Sequence, residues 1–285
     1  IDAKRYLELL GRTITTVLRT PGRRAQSVAD SSFDAWIKYY RQDENTPNAV
    51  VSYYTKGAVV ALALDLELRR RDRSLDELMR ALWERHGRTG VGVPEGGVEA
   101  LACELGGPAL AGFFARCVHG TEDPPLAALL AEFGVTLGLR AAEGGADRGG
   151  TPGKRREPPT TDGPDGAPAR GRAWLGGKLG GGAEPKLVHV YAGGPLQQAG
   201  LSANDTLVAV DGLRASSDAL EKLVTLRAPG ESVEVHAFRR DELFTARLTL
   251  GVAPLDTCWL ALAETAEPAA TARRDAWLMP GVVRA

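Results

Sequence analysis

The chain has 285 residues, of which 44% are hydrophobic and 25% charged. These values lie near the globular average and exclude wholesale disorder, a collagen-like repeat and a disulfide scaffold. Lys and Arg number 35 against 36 Asp and Glu, a net charge of −1, so no global field draws the chain to nucleic acid or to an acidic membrane. At roughly 100–200 residues per domain, the length predicts about two domains.

The N-terminus enters at once on a helical pattern (Tyr6, Leu7, Leu10, Ile14, Val17) without an initiator Met or a signal peptide, and reads as a fragment or a chain cut upstream. Helical periodicity then recurs at 3–18, 32–40, 50–70, 74–86, 96–105, 108–118 and 125–133. Residues 1–142 therefore read as a helical unit. Its longest apolar run, Ala58 to Leu64, is under half of the roughly 20 residues a membrane span needs, so no membrane span is expected. The arginine cluster Arg69 to Arg73 has no interleaved aromatics and reads as a solvated helix end rather than a nucleic-acid site.

From Glu143 to Arg172 there are eight Gly and five Pro and no Val, Ile, Leu, Met, Phe, Tyr or Trp. Such a stretch buries too little to offset its ordering entropy and is expected to be a flexible linker, with Lys154-Arg155-Arg156 as a solubilising or protease-sensitive site. Beyond it the period becomes two, giving strands at 186–191, 206–210, 232–238 and 243–250. One helix, Ser217 to Leu226, interrupts them and turns Leu220, Leu223 and Val224 inward. Asp211-Gly212 suits a turn with positive φ, and Arg239 to Glu242 a hairpin. The tail, 252–285, carries Trp259 and a predicted helix 268–278 with Trp277, and is expected to dock on the helical unit. Cys103, Cys117 and Cys258 lack metal spacing and read as small buried thiols, favouring a reducing, cytoplasmic compartment.

Pro195, Ala199-Gly200-Leu201, Asp205 and Leu207 to Gly212 together resemble the pattern of bacterial PDZ domains, over residues 172–251. A Gly is needed where the one-turn helix ends left-handed. The resemblance implies that Trp174-Leu175-Gly176-Gly177 is a carboxylate-binding loop. Backbone N–H groups of Leu175, Gly176 and Gly177 would hold a peptide terminus, a ligand strand would add along Lys178-Leu179, and Leu220 and Leu223 would line the pocket for its last side chain. A plain turn after the linker, with no peptide bound, is the competing reading. Gly180 to Gly182 reads as a loose loop.

The stretches Thr20 to Ser27, Phe33 to Tyr40, Asn48 to Gly57 and Ser74 to Trp83 resemble the C-terminal helical subdomain of the glycyl aminopeptidase family. These are gluzincin zinc metallopeptidases, hydrolases that carry a C-terminal PDZ domain. The fold class implied is multidomain, α plus α+β: an all-helical C-terminal subdomain of a thermolysin-like peptidase (1–142), then a small PDZ-like β-barrel or sandwich (173–251). The resemblance also implies a role for Tyr54 of Tyr54-Thr55-Lys56-Gly57, whose hydroxyl would lie over the zinc site as an oxyanion donor. Tyr53 reads as structural.

The zinc itself has no ligands here. His-Glu-x-x-His is missing, and His86, His119, His189 and His236 are far apart. By the resemblance the ligands should lie upstream, and this chain alone is expected to be inactive. Neither Gly-x-Ser-x-Gly nor a phosphate-cradling Gly-rich loop occurs. Two functions follow as expectations. One is the C-terminal portion of a zinc aminopeptidase that removes N-terminal residues, Gly or Ala preferred, from peptide or protein substrates. The other is a non-catalytic PDZ adaptor with a helical docking platform.

Overall fold

The computed structural model describes residues 1–153, 171–181 and 185–278. Lys154-Arg155-Arg156, Gly182 and most of the segment read as a linker fall outside the described residues. The first part is mainly helical: α1 (Ala3–Leu18), α2 (Val28–Phe33), α3 (Thr46–Ala49), α4 (Tyr53–Arg69), α5 (Leu75–Leu82), α6 (Gly97–Gly106), α7 (Leu110–Cys117) and α8 (Leu126–Ala131). Two expected helices break. The span 32–40 resolves into α2 followed by a wide turn at Ala35–Tyr39, and 50–70 is interrupted by extended backbone at Val50 to Ser52.

Local chemistry accounts for the starts. The carboxylate of Asp2 accepts from Arg5 N at 2.7 Å, Ser52 caps α4 through Thr55 N at 3.2 Å, and Ser74 with Glu77 forms a reciprocal capping box on α5. Helix α1 buries Leu7, Gly11, Ile14 and Val17, one stripe at helical spacing. Helix α4 is apolar nearly all round, with Val59, Val60, Ala63, Leu64, Leu66 and Leu68 buried, so it is the central helix of this core. By length and composition the stretch Thr46–Arg69 could cross a membrane, which counting uninterrupted apolar runs had not revealed; half of it is buried inside the protein. The Arg69 to Arg73 cluster is paired locally, Arg69 with Asp65 at 2.8 Å and Arg71 with Glu67 at 2.6 Å.

The first part is not all helix. Strand β1 (Val135–Arg140) lies at its end and pairs antiparallel with β10 (Thr257–Leu262), from Val135 opposite Leu262 to Arg140 opposite Thr257. The β10 backbone also packs on α1, where Cys258 N donates to Thr15 Oγ1 at 2.8 Å. Residues 268–278 form α11, whose Trp277 sits edge-on to Tyr6 and Phe133, each ring 5.9 Å away.

The described start of the expected linker is fixed in place. Asp147 pairs with Arg140 and accepts from Glu143 N and Gly149 N at 2.9 Å each. Gly149 and Gly150 then run against α1 with positive φ, and Gly150 N donates to Cys258 O at 2.8 Å. A Cβ on Gly149 would lie 2.2 Å from Thr15 Oγ1. Glycine here permits close approach, not looseness.

The second core gathers β2 (Ala173–Trp174), β3 (Gly177–Leu179), β4 (Leu187–Val190), α9 (Pro195–Gln198), β5 (Thr206–Val210), β6 (Leu213–Arg214), α10 (Ser217–Leu226), β7 (Ser232–Arg239), β8 (Glu242–Thr249) and β9 (Gly251–Val252). Strands β6-β5-β7-β8 form one antiparallel sheet, and β3-β4 and β2-β9 are separate two-stranded ladders. Asp211 (φ 49°) and Gly212 (φ 74°) make the tight turn, and Arg239 opposite Glu242 closes the β7–β8 hairpin. Asp205, buried, receives both arms of Arg239 at 2.8–2.9 Å and the Ser202 N–H at 2.8 Å. That geometry satisfies a carboxylate which would otherwise be costly to bury.

Candidate functional site

The head of α4 is set by its neighbours. Gly22 lies so close to the extended strand before α4 that a Cβ would meet Val50 O at 2.4 Å. Gln26 Oε1 accepts from Val51 N at 3.2 Å, and the Ser31 hydroxyl donates to Val51 O. Lys56, one turn into α4, is fully buried, and its ammonium donates to Arg23 O at 2.7 Å and Thr121 O at 3.1 Å, with Asp123 at 4.0 Å. Burial pulls the Lys56 pKa below its ordinary value, and the Asp123 carboxylate opposes that. The ammonium thus fastens the Pro21–Arg24 turn and the loop before α8 to the first turn of α4. Sequence reasoning missed this role of Lys56.

Tyr54 projects from that first turn into solvent, 58% exposed. Its hydroxyl is 3.0 Å from Tyr40 Oη, which is also 3.0 Å from Tyr53 Oη. The rings of Tyr53 and Tyr54 are 4.2 Å apart. Three phenols therefore converge, Tyr53 among them. The wide turn Ala35–Tyr39 carries Tyr40 up to both residues, which spacing along α4 alone does not show. Hydrogen bonds from Tyr40 and then Tyr53 hold the Tyr54 phenol below its ordinary pKa, while those to Tyr40 and then Tyr54 push Tyr53 up. A phenol with a lowered pKa is a stronger hydrogen-bond donor to an anionic oxygen. Trp36, exposed like Phe33 and Ile37 of the same stretch, lies 5.2 Å from the Tyr40 ring.

No cluster of three or more His, Cys, Asp or Glu able to hold a metal occurs among the described residues. The four histidines are dispersed: His119 Nε2 is 2.6 Å from Glu99, His86 faces Val91 O, His189 faces Glu44 O, and His236 is nearest Glu234 at 3.7 Å. A zinc of the two-His, one-carboxylate type does not fit the described residues.

The second candidate region surrounds β3. Gly176 (φ 83°) packs against Gly194 and Pro195, where a Cβ would come within 2.7 Å of the Pro195 ring, and a Cβ on Gly177 would meet His189 O at 2.6 Å. The loop carbonyls are engaged, Leu175 O by Leu196 N at 2.9 Å and Gly176 O by Tyr191 N at 2.8 Å. Leu175, Leu179, Leu220 and Leu223 line one small apolar cavity of about 10 Å³, room for at most about one water. Lys178 is exposed. Among the described residues β3 pairs only with β4, so its other edge carries no strand. The Ser217 hydroxyl ties the start of α10 to Gly180 O at 3.1 Å.

The two parts meet at the α3 loop. Asn48 Nδ2 donates to Val190 O at 2.8 Å and Asn48 Oδ1 accepts from Ala192 N at 2.9 Å. Asn48 thus pairs with the backbone at the end of β4, six residues before Tyr54.

The family model for M61 glycyl aminopeptidases matches residues 1–60, the stretch that carries Gly22, Gln26, Tyr40, Asn48, Tyr54 and Lys56. The crystal structure of an aminopeptidase N family protein from Idiomarina loihiensis superposes on 98% of the chain with a TM-score of 0.83 at 34% identity. The chain is thus similar to the M61 glycyl aminopeptidase family over residues 1–60 and to the Idiomarina protein over nearly its whole length. It spans 45% of the length of the Idiomarina protein. Partial matches include a serine-to-alanine variant of the HtrA-type protease AlgW with a decapeptide (21% identity, 30% of each chain, TM-score 0.29) and a serine endoprotease from Yersinia pestis (25% identity, 28% of this chain and 29% of that one, TM-score 0.26). Those scores are too low to carry a fold assignment. No curated protein gives a significant match.

Proposed function

We propose that this chain forms part of a zinc-dependent aminopeptidase that removes N-terminal residues, glycine or alanine preferred, from peptides. In it, Tyr54 donates a hydrogen bond to the oxyanion formed when the scissile carbonyl is attacked. The single observation that carries the reading is an exposed phenol at the head of a buried helix, within a stretch matched to a peptidase family and hydrogen-bonded to Tyr40 at 3.0 Å. One well-placed donor of this kind is typically worth about 2.7–4 kcal/mol of transition-state stabilisation.

The metal ligands would come from polypeptide outside this chain, since no ligand cluster assembles among the described residues. Lys56, Gln26 and Ser31 act as positioning residues by fixing the strand and first turn that present Tyr54. The exposed apolar side chains Phe33, Trp36 and Ile37 give this rim a surface suited to contact with the rest of a longer polypeptide. In the same reading the β-rich part is a PDZ domain whose Leu175 to Gly177 loop and free β3 edge receive an extended peptide.

The test is release of the N-terminal residue from glycyl and alanyl fluorogenic amides by a full-length polypeptide carrying this chain. Metal content is measured in parallel, before and after treatment with a chelator. Chelator-sensitive release that zinc restores supports the proposal. Release that persists after zinc is removed, or no release from a zinc-loaded protein, refutes it and leaves the peptide-binding adaptor.

A further inference from the structure

The free edge of β3 opens on a cleft of about 1080 Å³ between the β-rich part and the end of the helical part. One wall holds Leu179 of β3 and Val224 of α10, and the other the Pro21–Arg24 turn at the end of α1. The Idiomarina structure superposes on nearly the whole chain, so the two parts are set against each other in the same way in both proteins.

The cleft is lined by five cationic side chains, Arg19, Arg23, Arg24, Arg172 and Lys178, against two anionic ones. Three of the cations are engaged: Arg19 with Asp256 at 3.2 Å, Arg23 with Asp123 at 2.8 Å, and Arg172 with Ala142 O at 2.6 Å. Of the anions, Asp256 is thus paired, and Glu221 accepts from Gly145 N at 3.4 Å. Arg24 and Lys178 are exposed and make no ion pair or side-chain hydrogen bond among the described residues. Lys178 is directly opposite His189, so the two share a face, and His189 Nδ1 lies 3.2 Å from Glu44 O. Lys178 and Arg24 line the same cleft, Lys178 from β3 and Arg24 from the Pro21–Arg24 turn.

We propose that this cleft binds an extended acidic peptide, which adds as a strand to the edge of β3. Because strand side chains alternate, residues turned inward meet Leu179 and Val224, while those turned outward place carboxylates between Arg24 and Lys178. The apolar face supplies contact, and the two unpaired cations on facing walls select the charge of the ligand. The inference rests on the reading of β3 as a peptide-binding edge and adds the class of peptide.

The experiment uses the full chain and fluorescein-labelled hexapeptides of alternating valine with aspartate, with lysine or with serine, read by fluorescence anisotropy. The aspartate peptide is expected to bind tightest and to weaken as salt rises. The double variant Arg24→Glu, Lys178→Glu, whose side chains are exposed, is expected to keep the wild-type circular dichroism and to bind the aspartate peptide at least about tenfold more weakly. If the serine or lysine peptide binds as tightly, or the double variant keeps its affinity, charge selection is refuted while the peptide-binding edge stands. If none of the three binds, the peptide-binding edge falls and the charge selection with it.

Discussion

Lys56→Met isolates one ammonium that joins three segments. The methionine keeps the apolar stem but leaves Arg23 O and Thr121 O without their donor, while Asp123 retains Arg23 at 2.8 Å. Removing one partner of a buried charged arrangement typically costs about 3–5 kcal/mol. Burial already holds the Lys56 pKa down, so part of the gain from these bonds is offset by desolvation, and the expected loss sits at the low end, about 3 kcal/mol. Urea unfolding followed by far-ultraviolet circular dichroism measures it. The exposed Lys178→Met serves as reference, expected within about 0.5 kcal/mol of wild type. A loss below about 1 kcal/mol for Lys56→Met would mean that water or a neighbouring group replaces the ammonium easily, and the anchoring role would be wrong.

Burial alone would raise the Asp147 pKa, but Arg140 and two backbone N–H groups outweigh it and hold the carboxyl well below its ordinary value. Its stabilising contribution is therefore complete above about pH 4 and is lost as pH falls below that, so Asp147→Asn should flatten the fall in Tm between about pH 4 and 2; an unchanged acid limb contradicts it. Gly149→Ala, at φ 72° and against Thr15, should destabilise by about 1–3 kcal/mol. Gly57→Ala, in open space within α4, should stabilise by up to about 1 kcal/mol, and urea midpoints of both variants check the pair. Burial pushes the Cys258 thiol up to about 12 and raises Cys117 as well, so a disulfide reagent at pH 8 should modify only the half-buried Cys103 before denaturation; rapid labelling of more than one thiol refutes this.

The sequence was most legible where local period and capping agree. Ala3–Leu18, Ser217–Leu226 and Thr206–Val210 have the bounds their patterns predict. It was least legible where a partner lies far along the chain. Strand β1 pairs with residues 257–262, and nothing near Val135 announces them. Composition marked the segment from residue 143 as loose, although Gly149 and Gly150 are there to let backbone touch α1; glycine count does not separate freedom from close packing. At the candidate site, the motif singled out Tyr54 as an expectation that the proposed function carries forward. Its bond to Tyr40 was not legible, since a wide turn at Ala35–Tyr39 breaks the helical period. Lys56 read as one letter of that motif, and only its complete burial shows what its ammonium holds.

The most direct test is Tyr54→Phe in a full-length, zinc-loaded polypeptide carrying this chain. With KM and metal content unchanged, kcat should fall by on the order of a hundredfold or more, the loss of one oxyanion donor. Turnover within a few-fold of wild type would show that this phenol does not touch the reacting carbonyl.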